Sequence, residues 1–245
     1  MYIDRKHIKF DAKLSMTEAT PNPMLITFVY WLISFVLNYL QLSILLTGTN
    51  YTNIAANAFE YGIDSIPLDE YENLFSGMFT PSKTLFVLAI AIMAVILNTG
   101  YTMYCLKISR RQQAGIPAIF DGFTIFLRVI VLRILIYVFV TLWSMLFIIP
   151  GIIASYRYSM AIYLLIDNPH MSPLECIRAS KEITRGHKGA LFVLELSFIG
   201  WFMISSNITI IGVIIGMWSN PYIGITYSNF YNKLIAQTAS PNTDL

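Results

Sequence analysis

Cysteine, histidine and charge are scarce in this chain, and each scarcity removes a class of chemistry. Only two of the 245 residues are cysteine and three are histidine. Cys105 and Cys176 form no C-x-x-C pair and flank apolar runs on the side expected to be reducing, which weakens disulfide, zinc and thiol-nucleophile readings alike. His7, His170 and His187 lack ligand spacing, so no metal site is expected. Charged residues make up 12% of the chain, about half their share in a soluble domain. There is no Walker loop, no G-x-S-x-G, no H-E-x-x-H and no carboxylate pair inside an apolar run. No catalytic residue, no cofactor and no enzyme activity is therefore expected. The absence of a long polar stretch leaves no room for a separate catalytic domain.

What is present in abundance is oil. Hydrophobic residues are 56% of the sequence, with a mean hydropathy of +0.61. They gather in runs at 24–46, 84–106, 122–166 and 189–232. One bilayer crossing takes about 20 residues, so the last two runs are each long enough for two. The sequence predicts an all-α, polytopic membrane protein forming a single membrane domain over 1–245. The segment before the first run, with Asp4, Arg5, Lys6, Lys9 and Lys13, is too long and polar for a signal-peptide start, so the first span is expected to remain as an anchor.

Basic residues mark the cytoplasmic side. They flank the first run (Arg5, Lys6, Lys9, Lys13), follow the second (Lys107, Arg110, Arg111) and separate the third and fourth (Arg178, Lys181, Arg185, Lys188). The segment 47–83 carries only Lys83 against five acids, among them Asp64 and Glu72. Residues 1–23 and 167–188 are thus expected to be cytoplasmic, 47–83 extracytoplasmic, and both termini inside. An even number of crossings then gives about six transmembrane helices arranged as three hairpins, with amphipathic cytoplasmic helices. Turns are expected at Pro150-Gly151 and at Asn220-Pro221, where Asn suits an N-cap and Pro the first helical position. Both sites open the same frame, P-x-I-x-x-x-Y, ending at Tyr156 and Tyr227 and each preceded by a Trp (Trp143, Trp218). Either a hairpin is repeated, or the aromatics form an interfacial belt. The net charge of +2 implies attraction to anionic lipid headgroups at the cytoplasmic face rather than to nucleic acid.

The clearest local motif lies at 167–188. Asp167-Asn168-Pro169 stops one helix. Ser172 caps the next, Pro173 opens it, Glu175 completes a capping box, and Gly186 is placed to end it. Glu175, Arg178, Lys181, Glu182 and Arg185 share one face, Cys176, Ile177 and Ser180 the other. Charges at i,i+3 and i,i+4 predict a solvated, self-paired face, with docking of a protein partner as the competing reading. In the outer loop, Pro67-Leu68-Asp69-Glu70-Tyr71 predicts a short helix with acids in its first turn.

A charge inside the bilayer is costly, which makes Arg133, Arg157 and Glu195 the candidate functional residues; Arg128 lies near enough to the end of its run to snorkel. Counting along the helices puts the three at similar depth, roughly 9–15 Å. They are expected to form an intramembrane charge network in which Glu195 neutralises one arginine. Such a network either pins the helices or receives an anionic headgroup from the inner leaflet. Gly212 and Gly216 form a G-x-x-x-G expected to serve helix packing.

From Ile149 to Trp201 the chain reads I-P-G-I-I, Y-R-Y-S-M-A, D-N-P, S-P-L-E-C-I-R-A-S-K-E-I-T-R-G-H-K and F-V-L-E-L-S-F-I-G-W. This block resembles the core of the bacterial integral membrane family known as domain of unknown function 975. The resemblance implies a multi-span protein of the cell membrane, found mainly in Gram-positive bacteria, with no family catalytic residues to transfer. More distantly, the hairpin pattern is similar to the membrane domain attached to some glycerophosphodiester phosphodiesterases. Two functional classes follow: a protein that binds or passes an amphiphile, lipid or peptide, or serves as a transport accessory to an exporter or antimicrobial-peptide defence system; and an assembly scaffold that docks a membrane-protein partner through residues 172–186.

Overall fold

Helix starts follow the side chains at their first turns. The structure, a computed structural model, describes residues 4–205 and 210–239, and the described residues form helices and connecting turns without strands. Asp4 caps α1 (Arg5–Glu18) by accepting from the amides of Lys6 and His7. Asn22 accepts from the Met24 amide at 2.9 Å and Pro23 opens α2 (Pro23–Leu46), an N-cap followed by proline at the first helical position. Residues 47–83 form α3 (Tyr51–Tyr61) and α4 (Leu68–Met78), and α4 carries Asp69 and Glu70 in its first turn as expected. Then come α5 (Pro81–Ser109), a 3-10 stretch at Ile116–Ile125, and α6 (Phe126–Leu146). The chain ends in α7 (Ile148–Tyr158), α8 (Ala161–Asp167), α9 (Pro173–Ile183), α10 (Lys188–Leu196), α11 (Ile199–Ser205) and α12 (Ile210–Ala239).

Among the described residues four helical segments are long and apolar enough to cross a membrane: Pro23–Leu46, Pro81–Ser109, Ile116–Leu146 and Ile148–Asp167. The hairpin expected within 122–166 forms, but its turn lies at Phe147, whose backbone is extended between α6 and α7. Pro150 falls in the first turn of α7, where its missing N–H is one the helix would leave unpaired anyway. Gly151 serves close packing instead of the turn: a Cβ there would sit 2.0 Å from Ser144 Oγ on α6.

The turn expected at Asn220-Pro221 is absent. α12 runs without a break from Ile210 to Ala239 with Pro221 inside it. A proline removes one backbone bond and strains the preceding turn, but tertiary packing holds such helices together. Here Tyr222, Ile223, Ile225, Phe230 and Tyr231 are all buried, and α1 lies against α12 with the Asn229 amide donating to the Ile8 carbonyl. The two P-x-I-x-x-x-Y frames are therefore not equivalent hairpins.

By internal contact the chain divides into two compact units, residues 31–94 and residues 1–30 with 95–245. In the smaller, Lys83 Nζ donates to the carbonyls of Leu45, Thr47 and Gly77, gathering backbone oxygens at and beyond the end of α2. In the larger, polar segments that charge placement assigns to one side contact one another. Arg110 makes a bidentate pair with Asp167, Tyr231 donates to Asp167 at 2.8 Å, and Asn232 donates to Ser109 at 3.0 Å. The ends of α5 and α8 are thereby tied to the last turns of α12. Arg111 pairs with Glu18, and Lys9 donates to Ser197 at 2.6 Å while lying over the Phe198 ring. Backbone meets backbone where α5 passes the 3-10 stretch, since a Cβ on Gly100 would fall 1.7 Å from the Ile119 carbonyl oxygen.

Candidate functional site

The site grows from the way α9 is capped and docked. Ser172 Oγ accepts from the Glu175 amide, and the Glu175 carboxylate accepts from the Ser172 amide at 2.9 Å. The reciprocal capping box expected here is present. These hydrogen bonds, with the nearby Arg178 charge as a smaller cause, hold the Glu175 carboxyl below its ordinary range. α9 stops at Ile183 with Thr184 as its C-cap, and Gly186, at φ +83°, occupies the turn beyond rather than the cap itself.

The opposite face of α9 is buried and carries two hydroxyls. Ser180 Oγ donates to the Arg157 carbonyl at 2.8 Å, and Thr184 Oγ1 reaches the same oxygen at 3.5 Å. That carbonyl lies in the last turn of α7, where the helix supplies no amide of its own. The sequence reading placed Ser180 on this face without a role and left out Thr184; two hydroxyls four apart on an otherwise apolar helix face were the signal. Cys176 lies on this buried face, and burial pushes its thiol up, away from the thiolate a nucleophile or metal ligand needs.

Docked this way, the charged face of α9, the end of α7 and the start of α10 enclose a cavity of about 520 Å³. Its charged lining is Arg157, Arg178, Lys181, Arg185 and Lys188, with Glu182 as the single acid. The pairing expected along α9 does not form. Ion pairs among the described residues join His7 to Asp11, Lys107 to Asp121, Arg110 to Asp167 and Arg111 to Glu18, and none involves a cation of this cavity. The physical reason is that Glu175, the natural partner of Arg178, is bound into the cap. Arg157 contributes a further unmet group, since its buried Nε has no hydrogen-bond partner.

The intramembrane trio does not assemble. Arg133 donates to Asn98 at 3.4 Å, and Asn98 in turn donates to Tyr30 at 3.2 Å, so it belongs to a polar link between α2, α5 and α6. Arg157 turns to the cavity. Glu195, in the last turn of α10, accepts a short hydrogen bond from Tyr156, with Tyr227 nearby. It is at ion-pair distance from neither arginine. Successive residues on α7 point about 100° apart, so Tyr156 can face α10 while Arg157 faces α9. The two tyrosines that close the P-x-I-x-x-x-Y frames thus converge on one carboxylate. Gly212 and Gly216 are both buried in α12.

Among the described residues no group of three His, Cys, Asp or Glu is placed to hold a metal ion. No curated protein and no solved structure matches this chain. A family model described as "Protein of unknown function (DUF975)" matches residues 1–154 and again 145–238, and the chain belongs to that family.

Proposed function

We propose that this chain is a non-enzymatic, multi-pass protein of the bacterial cytoplasmic membrane that binds an anionic amphiphile by its headgroup at the cytoplasmic face. One observation carries the reading: a cavity with five basic side chains against Glu182, whose cations have no carboxylate partner. Unpaired cations around a hollow are complementary to an anion, and basic hollows between helices on the cytoplasmic side suit lipid headgroups. The adjoining turns of α7 and α10 expose Ile153, Phe192 and Val193, which gives acyl chains an apolar path from a headgroup in the cavity.

The orientation rests on the basic flanks: both termini inside, 47–83 outside, and the cavity at the inner leaflet. We assign six crossings, the last two being 188–205 and 210–239. These rise about 27 Å and about 45 Å against a hydrocarbon core of about 30 Å. Handing the bound amphiphile to an exporter or a peptide-defence system is the role such a site serves best. The competing reading is a scaffold that docks a protein through residues 172–186.

Native mass spectrometry of the full chain in neutral detergent tests the choice. Phosphatidylglycerol adducts are expected to exceed phosphatidylcholine adducts. Lys181→Gln with Lys188→Gln should weaken the anionic adduct by roughly tenfold or more, at about 1 kcal/mol per basic residue. Equal adducts of both lipids, or no effect of the substitutions, would overturn lipid binding and leave the scaffold.

A further inference from the structure

We propose that the cavity between α7, α9 and α10 selects a headgroup carrying two phosphates over one carrying a single phosphodiester. The inference rests on the anionic-amphiphile reading and adds the class of headgroup.

Charge is the first argument. Five cations and Glu182 line the cavity, so one monoanionic phosphodiester leaves most of the positive charge uncompensated. Two phosphates bring at least two negative charges and twice the acceptor oxygens. Spacing is the second argument. Arg178 stands in the middle of α9 and Arg185 in the turn beyond its C-cap, seven positions apart with Lys181 between them. A guanidinium holds phosphate best through two parallel N–H donors on neighbouring oxygens. A phosphodiester has two non-bridging oxygens, which one such fork occupies, so a single phosphate does not serve both arginines in this way. Two linked phosphates bridge the interval, one toward each arginine.

The remaining groups fit the same division. Arg157, whose Nε is buried and without a partner, also lines the cavity and adds a third guanidinium to Arg178 and Arg185. Lys188 is the first residue of α10, whose N-cap His187 makes no side-chain capping bond. The positive end of that helix therefore adds to the field at the cavity edge. Glu182 lies between the arginines and is the feature that repels an anion. It disfavours an anion placed midway between the two arginines and favours one phosphate beside each of them.

Paired phosphates occur in bisphosphate lipids such as cardiolipin and in soluble diphosphates, so the experiment separates the two sources. The full chain in neutral detergent is titrated with cardiolipin, with phosphatidylglycerol at equal total phosphate, and with inorganic pyrophosphate, and read by native mass spectrometry. Cardiolipin is expected to bind about tenfold tighter than phosphatidylglycerol, an advantage that shrinks to about twofold in Arg178→Gln with Arg185→Gln. Both arginines are exposed and outside every ion pair, and circular dichroism checks that the variant folds. Arg178→Lys with Arg185→Lys keeps the charge and loses the fork, and should fall between the two. Pyrophosphate that binds at the cavity and is not displaced by cardiolipin supports paired-phosphate recognition with a soluble source. Equal cavity-dependent affinity for cardiolipin and phosphatidylglycerol overturns the inference and spares the anionic-amphiphile reading. Adducts that ignore every cavity substitution overturn both.

Discussion

Replacing Ser180 with Ala and Thr184 with Val removes the two hydroxyls that hold α9 to the end of α7. Ser180 is 0% exposed and Thr184 1%, so the Arg157 carbonyl they serve would be left without a partner in a buried contact. Ser180 carries most of the bond at 2.8 Å; Thr184 is long to that oxygen at 3.5 Å and better placed on the Ser180 carbonyl at 2.8 Å. An orphaned buried acceptor costs about 1–3 kcal/mol. Taking about 2 kcal/mol for the double variant, the local opening equilibrium of α9 rises roughly 30-fold. Hydrogen–deuterium exchange on 173–183 in detergent reads this directly, with the amides of α6 as internal reference. The expected result is exchange roughly 30-fold faster in α9 at unchanged rates in α6. A change under about twofold in α9, or equal acceleration of α6, would refute the hydroxyl latch as the element that shapes the cavity.

Other substitutions separate the remaining roles. Gly100→Ala drives a methyl into the Ile119 carbonyl, and since both sides of the contact are backbone the loss should be about 3 kcal/mol or more, visible as a lowered thermal midpoint in detergent. Glu195→Gln keeps an acceptor for Tyr156 and should leave the thermal midpoint nearly unchanged, whereas Glu195→Ala strands that phenol and should cost about 1–3 kcal/mol. Equal effects of the two changes would show that Tyr156 does not depend on the carboxylate. Ser172→Ala should weaken the start of α9 by about 1 kcal/mol. The Glu175 carboxyl is depressed in the folded chain, so its contribution is present above the ordinary carboxylate value and is lost as pH falls through the depressed one; protection of 173–176, corrected for intrinsic exchange, should drop on that acidic side and stay level from pH 5 to 7.

Elements set by neighbours in sequence were legible before any coordinates. The Ser172–Glu175 box and the acidic first turn of α4 are decided by residues three or four apart, and the long apolar helices α2, α5, α6 and α7–α8 by hydropathy over twenty or so residues. What was not legible depended on distant partners. Pro221 reads locally as a turn, yet α1, more than two hundred positions earlier, packs against the helix that contains it. The i,i+3 rule treats Glu175 as available to Arg178, while the cap takes the carboxylate first. Matching charges by depth sent Glu195 to an arginine, because the rule compares ions and overlooks a phenol as a donor to a carboxylate. The shared frame ending at Tyr156 and Tyr227 pointed to the true partners under the wrong geometric meaning. Of the cavity cations, Arg178, Lys181, Arg185 and Lys188 were visible as a basic flank and Arg157 as a charge inside an apolar run; their gathering around one hollow was not, since it follows from how Ser180 and Thr184 dock α9 against the end of α7.

The most direct test is a crystal structure grown from a lipid mesophase doped with phosphatidylglycerol. Phosphate density is expected within hydrogen-bond distance of the Arg157 guanidinium and of Arg178 or Arg185, with acyl density running past Phe192. A cavity holding only solvent, while ordered lipid lies elsewhere along the helices, would contradict headgroup binding at this site.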